Sequence, residues 1–278
     1  MKKASKKQSF ISRIIFGLFK LFFLVVFSII KYLFLAVFWA FKKVFSRSKT
    51  VKPKKIKAKH SLKVSASHSP FCPENIVKGD FADFTERLLS QSLILTIVGK
   101  RGSGKSALGF RILENIYAKN KRPCFALGVK QSFLPSWIQS IESIDDVKDN
   151  GVVLVDEGAV SFSSRKSMSK QNKELADLLA IARHKDLTLI LVTQNTGMID
   201  KNVLNLTDAV LVKEGSLLQQ KMERSVMKEF YETASQHFNT IPLSQRTAYF
   251  YLFDSSVEGF VSSVLPGFWS DNVSKSRK

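Results

Sequence analysis

Eight consecutive residues, Gly99-Lys100-Arg101-Gly102-Ser103-Gly104-Lys105-Ser106, read G-x-x-x-x-G-K-S, the phosphate-binding loop pattern. Glycines let successive backbone N–H groups turn toward one anion. The lysine adds a cation, and the serine hydroxyl adds a ligand for Mg²⁺. The flanking sequence suits this chemistry. Leu93 to Val98 is an apolar run with the length of a buried strand. Lys105 to Lys119 carries Leu108, Ile112 and Ile116 on one helical face. Strand, glycine loop and helix together aim a helix N-terminus at a polyphosphate. Gly99, Gly102, Ser103, Gly104, Lys105, Ser106 and Ala107 are therefore the expected nucleotide contacts.

Cleaving a γ-phosphate needs more than a cradle: a metal site and a group that activates water. Gly151-Val152-Val153-Leu154-Val155-Asp156-Glu157 supplies candidates, four apolar residues ending in two carboxylates. Asp156 would hold Mg²⁺ with Ser106, Lys105 would bridge the β- and γ-phosphates, and Glu157 would polarise the attacking water. Gln194, at the end of the next apolar strand, would contact the γ-phosphate or the water. The plain alternatives are a surface carboxylate for Glu157 and a strand-terminal polar residue for Gln194.

These residues must be positioned by alternating elements. Asp80 is placed to cap a helix through Leu89, Arg122–Val129 reads as a strand, and Ser140–Asp146 as a short connection. Ser167–Arg183 has helical periodicity, Leu187–Val192 and Ala209–Val212 are strands, and Leu217–Phe238 reads as one long helix behind Ser216. Arg246–Asp254 and Gly259–Leu265 look like a late hairpin. Strands alternating with helices predict a parallel sheet covered on both faces.

Charge divides the 278 residues sharply. Residues 1–73 hold 15 Lys, 2 Arg and no acidic residue, so they carry +17 of the net +20. The rest is close to neutral, and its pI is no argument for a basic DNA-reading domain. Cys72 and Cys124, with four scattered His, form no metal or redox spacing.

Residues 1–45 are expected to be a membrane anchor. From Leu21 to Phe41 only Ser28 and Lys31 are hydrophilic, and fifteen residues are Leu, Ile, Val or Phe, enough to outweigh one central lysine. Arg13, Lys20, Lys31 and Lys42 fall on one stripe of a helical wheel. Two readings of that stripe are open: lysines snorkelling to headgroups, or several copies lining a path for a polyanion. Lys42 to Lys63 outnumber the basic residues before the apolar run, so the chain after it is expected in the cytoplasm. Residues 46–70 read as a flexible basic linker for anionic lipid or nucleic acid, 71–270 as the catalytic domain, and 271–278 as a disordered tail.

The Asp156-Glu157 pair, the Gln194 strand end and the run Ile181-Ala182-Arg183-His184-Lys185-Asp186-Leu187 through Thr193-Gln194-Asn195 resemble the HerA–FtsK superfamily, within the additional-strand, catalytic-glutamate class of P-loop ATPases. No L-S-G-G-Q string of an ABC transporter occurs. The resemblance covers roughly residues 90–215. It implies an α/β RecA-like fold, ATP and Mg²⁺, a homo-oligomer that is most often a hexameric ring, and a basic finger acting across the subunit boundary. Arg183 matches the superfamily's arginine before the Gln-bearing strand, and Arg165, in the Ser-rich loop 161–173, is a second candidate. The implied functions are a membrane-anchored DNA motor for viral genome packaging or plasmid transfer, or a Zot-like ATPase of filamentous phage assembly. The Zot-like proteins usually carry their span after the ATPase domain, whereas here it precedes it. A membrane scaffold that binds ATP without moving DNA is the third reading.

Overall fold

A strand as apolar as Ile94–Val98, with Thr96 its single polar residue, is stable only where both its faces are covered. In the computed structural model, which describes residues 27–28, 31–34, 61–156, 168–194, 201–223, 225–270 and 273, it lies at the middle of a nine-stranded sheet. The strands are β1 (Cys72–Lys78), β2 (Ile94–Val98), β3 (Cys124–Leu127), β4 (Ile138–Ile141), β5 (Val152–Asp156), β6 (Thr188–Thr193), β7 (Ala209–Val212), β8 (Tyr249–Asp254) and β9 (Glu258–Ser262). The helices are α1 (Phe81–Ser90), α2 (Lys105–Asn120), α3 (Met168–His184), α4 (Lys201–Leu206), α5 (Leu217–Met222) and α6 (Ser225–Phe238).

The sheet order is β1-β9-β8-β7-β2-β6-β5-β3-β4. β2 to β7 pair in parallel, and β8, β9 and β1 add an antiparallel flank. The loop-bearing β2 does not touch the carboxylate-bearing β5, because β6 lies between them. That inserted strand makes this an α/β RecA-like P-loop fold of the additional-strand kind, as the motifs predict.

Alternation along each strand builds two cores. Leu95, Ile97, Val152, Leu154, Ile190 and Val192 face α1 and α2. Ile94, Val98, Val153, Val155, Leu189 and Leu191 face α3 and α6. Asp80 caps α1 by accepting from the Ala82 amide at 2.8 Å. The helix expected over Leu217–Phe238 is instead two, because Glu223 is extended and ends α5. The break leaves Met227, Tyr231, Ala234 and Phe238 as a separate 4-3-4 stripe buried on the sheet.

Two strands lie outside the sequence expectation. β1 is almost wholly exposed and includes Pro73, so it shows no alternation; it is tolerated as an edge strand. β4 is the other edge and occupies part of the expected connection.

Residues 61–70 differ from a free linker. Leu62 exchanges main-chain hydrogen bonds with Leu134 and Ser136 at 3.0 and 3.3 Å. Ser69 is gripped through its N–H and C=O by the Asn115 amide at 3.0 and 2.8 Å, and Ser67 N–H donates to Glu114 at 3.1 Å. The cause is a polar face on α2: Arg111, Glu114 and Asn115 are all buried, and this segment satisfies them. In the expected tail, Val273 is described and buried in the α1–α2 core.

Contacts divide the chain into Met1–Lys55 and Ile56–Lys278. In the first unit only 27–28 and 31–34 are described; they are helical, with Phe27, Tyr32, Leu33 and Phe34 exposed. Among the described residues no helix is long and apolar enough to cross a membrane. Most of the expected Leu21–Phe41 span lies outside them.

Candidate functional site

The site forms where parallel strands end together. β2, β5, β6 and β7 all place their C-terminal ends at one edge, the edge at which open α/β sheets bind ligands. Val98 leads into the loop, and α2 starts at Lys105 behind Gly104, whose φ of 87° suits glycine. A Cβ at Gly104 would lie 3.0 Å from the Thr247 carbonyl oxygen, so the loop closes on the turn before β8.

The residues expected to hold a nucleotide are together. Lys105 is buried, and its ammonium donates to the Gly99 and Lys100 carbonyls at 2.9 and 2.8 Å. Ser106 Oγ donates to Asp156 Oδ2 at 2.7 Å, which brings the loop and the β5 carboxylate to one point. Ser103 Oγ is buried and, among the described residues, without a hydrogen-bond partner. An orphaned hydroxyl inside a ring of glycine amides fits a phosphate oxygen. Ser106 and Asp156 form an oxygen pair suited to Mg²⁺, which is bound through one or two protein ligands plus phosphates and water. Among the described residues no group of three or more carboxylate, His or Cys side chains gathers as a metal cage.

Gln194 directly follows β6 at this same edge, and its carbonyl accepts from Gln219 Nε2 at 3.2 Å. Arg183 does not join the site. It is exposed in the last turn of α3, its guanidinium donating to the Leu206 carbonyl at 3.4 Å, at the opposite edge of the sheet. The length of β6 puts roughly 15–20 Å between that edge and Gln194. Glu157 and Arg165 lie outside the described residues.

The structure adds groups that the motifs did not reveal. Lys213, just past β7, is fully buried beside Gly104. Its ammonium donates to the Thr247 and Tyr249 carbonyls at 2.7 and 2.5 Å. Burial, with Lys105 nearby, pulls its pKa down to about 7. Its neighbour Glu214 is the opposite case. Burial works to raise that carboxyl, but Lys100 at 2.6 Å and Arg246 at 2.7 Å outweigh it and hold it below the usual range. Glu214 also accepts the Lys100 amide through its carbonyl at 2.9 Å, fixing the start of the loop. One signal was available: Lys-Glu follows an apolar run that ends at the ligand edge of the sheet.

A family model described as zonular occludens toxin (Zot) matches residues 109–259, more than half of the chain and all of β3 to β8. The chain belongs to the Zot family. This Zot-family protein thus has an α/β RecA-like P-loop fold, in line with its strand order and motifs. The curated proteins include no match. Among solved structures, it is similar to the genome packaging NTPase B204 of Sulfolobus turreted icosahedral virus 2 in complex with ATPγS, at 15% identity over 62% of this chain and 98% of that one, TM-score 0.44. The pCW3 conjugation coupling protein TcpA with ATPγS aligns at 11% identity over 76% and 71%, TM-score 0.45. EssC ATPases 2 and 3 of Geobacillus thermodenitrificans align at 11% over 78% and 49%, TM-score 0.39.

Proposed function

We propose that this Zot-family chain is an Mg²⁺-dependent ATPase that drives phage assembly by moving DNA at a membrane. The carrying observation is the family match over residues 109–259, which takes in β5, β6 and β7 at the ligand edge, joined to the Ser106–Asp156 contact at the head of the loop. The family moves the assembly reading ahead of genome packaging or plasmid transfer. It also outweighs the scaffold reading, because the groups needed for hydrolysis are intact.

In this reading the loop amides and Lys105 neutralise the triphosphate, leaving its phosphorus open to an in-line nucleophile. Ser106 and Asp156 would hold Mg²⁺, which would supply positive charge to the phosphate oxygens. Glu157 takes a proton from water as its oxygen attacks the γ-phosphorus, and the bond to the β-phosphate oxygen breaks. Gln194 orients that water from the end of β6. Arg183 is too far from its own loop to act there, so its catalytic use requires a neighbouring copy in a ring, a hexamer by analogy with the superfamily; Arg165 is the weaker alternative. Residues 1–45 anchor the ring in the membrane, with the ATPase unit on the cytoplasmic side, supported by the apolar run and the basic residues that follow it.

The test is ATP hydrolysis by the full chain in anionic liposomes, with and without circular single-stranded DNA. The full chain matters because trimming it past Leu62 would remove that residue's pairing with Leu134 and Ser136. DNA should raise the rate, and Glu157→Gln should lower it by about a hundredfold or more. A rate indifferent to both DNA and Glu157→Gln would refute the motor.

A further inference from the structure

Exposed apolar side chains are ordinarily scattered singly. Val264 and Leu265 differ: they are consecutive, lie just after β9, and stand 59% and 58% exposed. Their main chain is pinned from beneath. Arg111, buried on α2, donates to the Val264 carbonyl at 3.2 Å and to the Leu265 carbonyl. The same guanidinium reaches the Ser67 carbonyl at 3.2 Å. Glu114 joins the two segments again, accepting from the Ser67 and Gly267 amides, each at 3.1 Å. The apolar pair and the segment around Ser67 therefore lie side by side over α2.

The surroundings of the pair are basic and aromatic. His68 is held below its usual pKa by burial and then by the charges of Lys119 and Arg111. Trp137 donates to the Val64 carbonyl at 3.1 Å and stacks on Tyr117, with 4.9 Å between ring centroids. Lys121 lies 5.0 Å over that Tyr117 ring. Lys63, Lys119 and Lys121 are exposed, and Tyr117 and Trp137 are half-buried. Glu114 is fully buried and paired with Arg111 at 3.1 Å, so it leaves the lysines' charge uncancelled at the surface. The chain also arrives here from residues 46–60, which hold six Lys, one Arg and no acidic residue.

We propose that this face docks the ATPase unit on an anionic bilayer, with Val264 and Leu265 entering the headgroup layer and Lys63, Lys119 and Lys121 meeting lipid phosphates. The inference rests on the reading that the protein works at a membrane, and it adds a second contact to that of residues 1–45. Aliphatic side chains bordered by lysines, with Trp and Tyr at the margin, suit the boundary between headgroups and acyl chains. A single-stranded nucleic acid would call for open aromatic platforms, whereas Tyr117 and Trp137 are turned onto each other.

The test uses the full chain with a polarity-sensitive dye on the cysteine of Leu265→Cys, in a Cys72→Ser background, since Cys124 is buried. A control carries the dye at Leu243→Cys, 74% exposed between α6 and β8. Vesicles are phosphatidylcholine alone or an equal mixture with phosphatidylglycerol, each with a spin-labelled lipid as quencher. In the mixed vesicles the dye of Leu265→Cys should be quenched and that of Leu243→Cys should not. Lys63→Glu, Lys119→Glu and Lys121→Glu together should lower the quenched fraction about fivefold or more. No quenching with Leu265→Cys, equal quenching with Leu243→Cys, or quenching that survives the three charge reversals would overturn the proposal. A dye response to circular single-stranded DNA in phosphatidylcholine vesicles would also overturn it and give the face to nucleic acid. Flotation separates this contact from the anchor. A chain that floats on neutral vesicles but is not quenched in mixed ones keeps the anchor and loses the contact. One that floats only on mixed vesicles, and is quenched there, keeps the contact and loses the anchor. One that floats on neither loses both.

Discussion

Lys213→Met exposes the electrostatics of the loop's support. The lysine is fully buried, and burial with the nearby charge of Lys105 lowers its pKa from 10.5 to about 7. Between those values the unfolded chain keeps a proton that the folded chain has released. Stability therefore rises with pH through this window, and a chain without the lysine lacks that rise. The limiting slope is about 1.4 kcal/mol per pH unit. Because folded molecules are already partly deprotonated at pH 7, the gain between pH 7 and 8.5 is on the order of 1–2 kcal/mol. For a folded unit of this size that is roughly half a molar in urea midpoint. The window must stop near pH 8.5, because burial pushes the Cys124 thiol up and so makes stability fall at higher pH. The assay is urea unfolding of both proteins at pH 7.0, 7.5, 8.0 and 8.5. The slope difference is the readout, not the stability at one pH. Methionine relieves the buried charge but leaves the Thr247 and Tyr249 carbonyls unpaired, and these effects oppose each other. Equal slopes, or a steeper rise in the variant, would refute the reasoning.

Two further substitutions test separate contacts. Arg87→Ala leaves Asp254, whose side chain is fully buried, without the guanidinium that now sits 2.6 Å away, and should cost about 3 kcal/mol. Burial favours the neutral acid, but Arg87 and then Ser256 override it and hold the carboxyl low. That stabilisation is present above the ordinary carboxylate pKa and is lost as pH falls through the lowered one, so wild type and variant should converge in acid urea unfolding. Ser106→Ala removes the hydroxyl that meets Asp156. Phosphate release should fall about a hundredfold with about 1 kcal/mol lost in stability; a variant keeping half its activity would remove Ser106 from the metal site.

The local parts of this fold were legible because their information is local. A glycine loop between an apolar strand and an amphipathic helix specifies Gly99–Ser106 and α2, and Asp156 announces itself by ending an apolar run. The edge strands were not legible, for a physical reason. β1 pairs only with β9, nearly two hundred residues away in sequence, and its exposed faces leave no periodic signal. Residues 61–70 misled by composition: their Lys and Ser content reads as solvated chain, while their main-chain groups answer the buried Glu114 and Asn115 of α2. A polar helix face looks solvent-exposed until its partner segment is known.

Lys213 shows the same limit at the site itself. In sequence it is one cation after a short strand, among 43 lysines and arginines, and an isolated lysine is most often at the surface. Its place is fixed by three pairings that sequence reading cannot order: β7 beside β2, β8 beside β7, and the turn before β8 folded over Gly104. Those pairings set Lys213 between the loop and the Thr247 and Tyr249 carbonyls, and Glu214 between Lys100 and Arg246. The antiparallel flank therefore does more than extend the sheet. Through one buried cation and one shared carboxylate it holds the first half of the phosphate loop, while Asp156 meets the second half from the opposite side of β2. The flank therefore contacts the loop directly, whereas β5 is separated from β2 by β6.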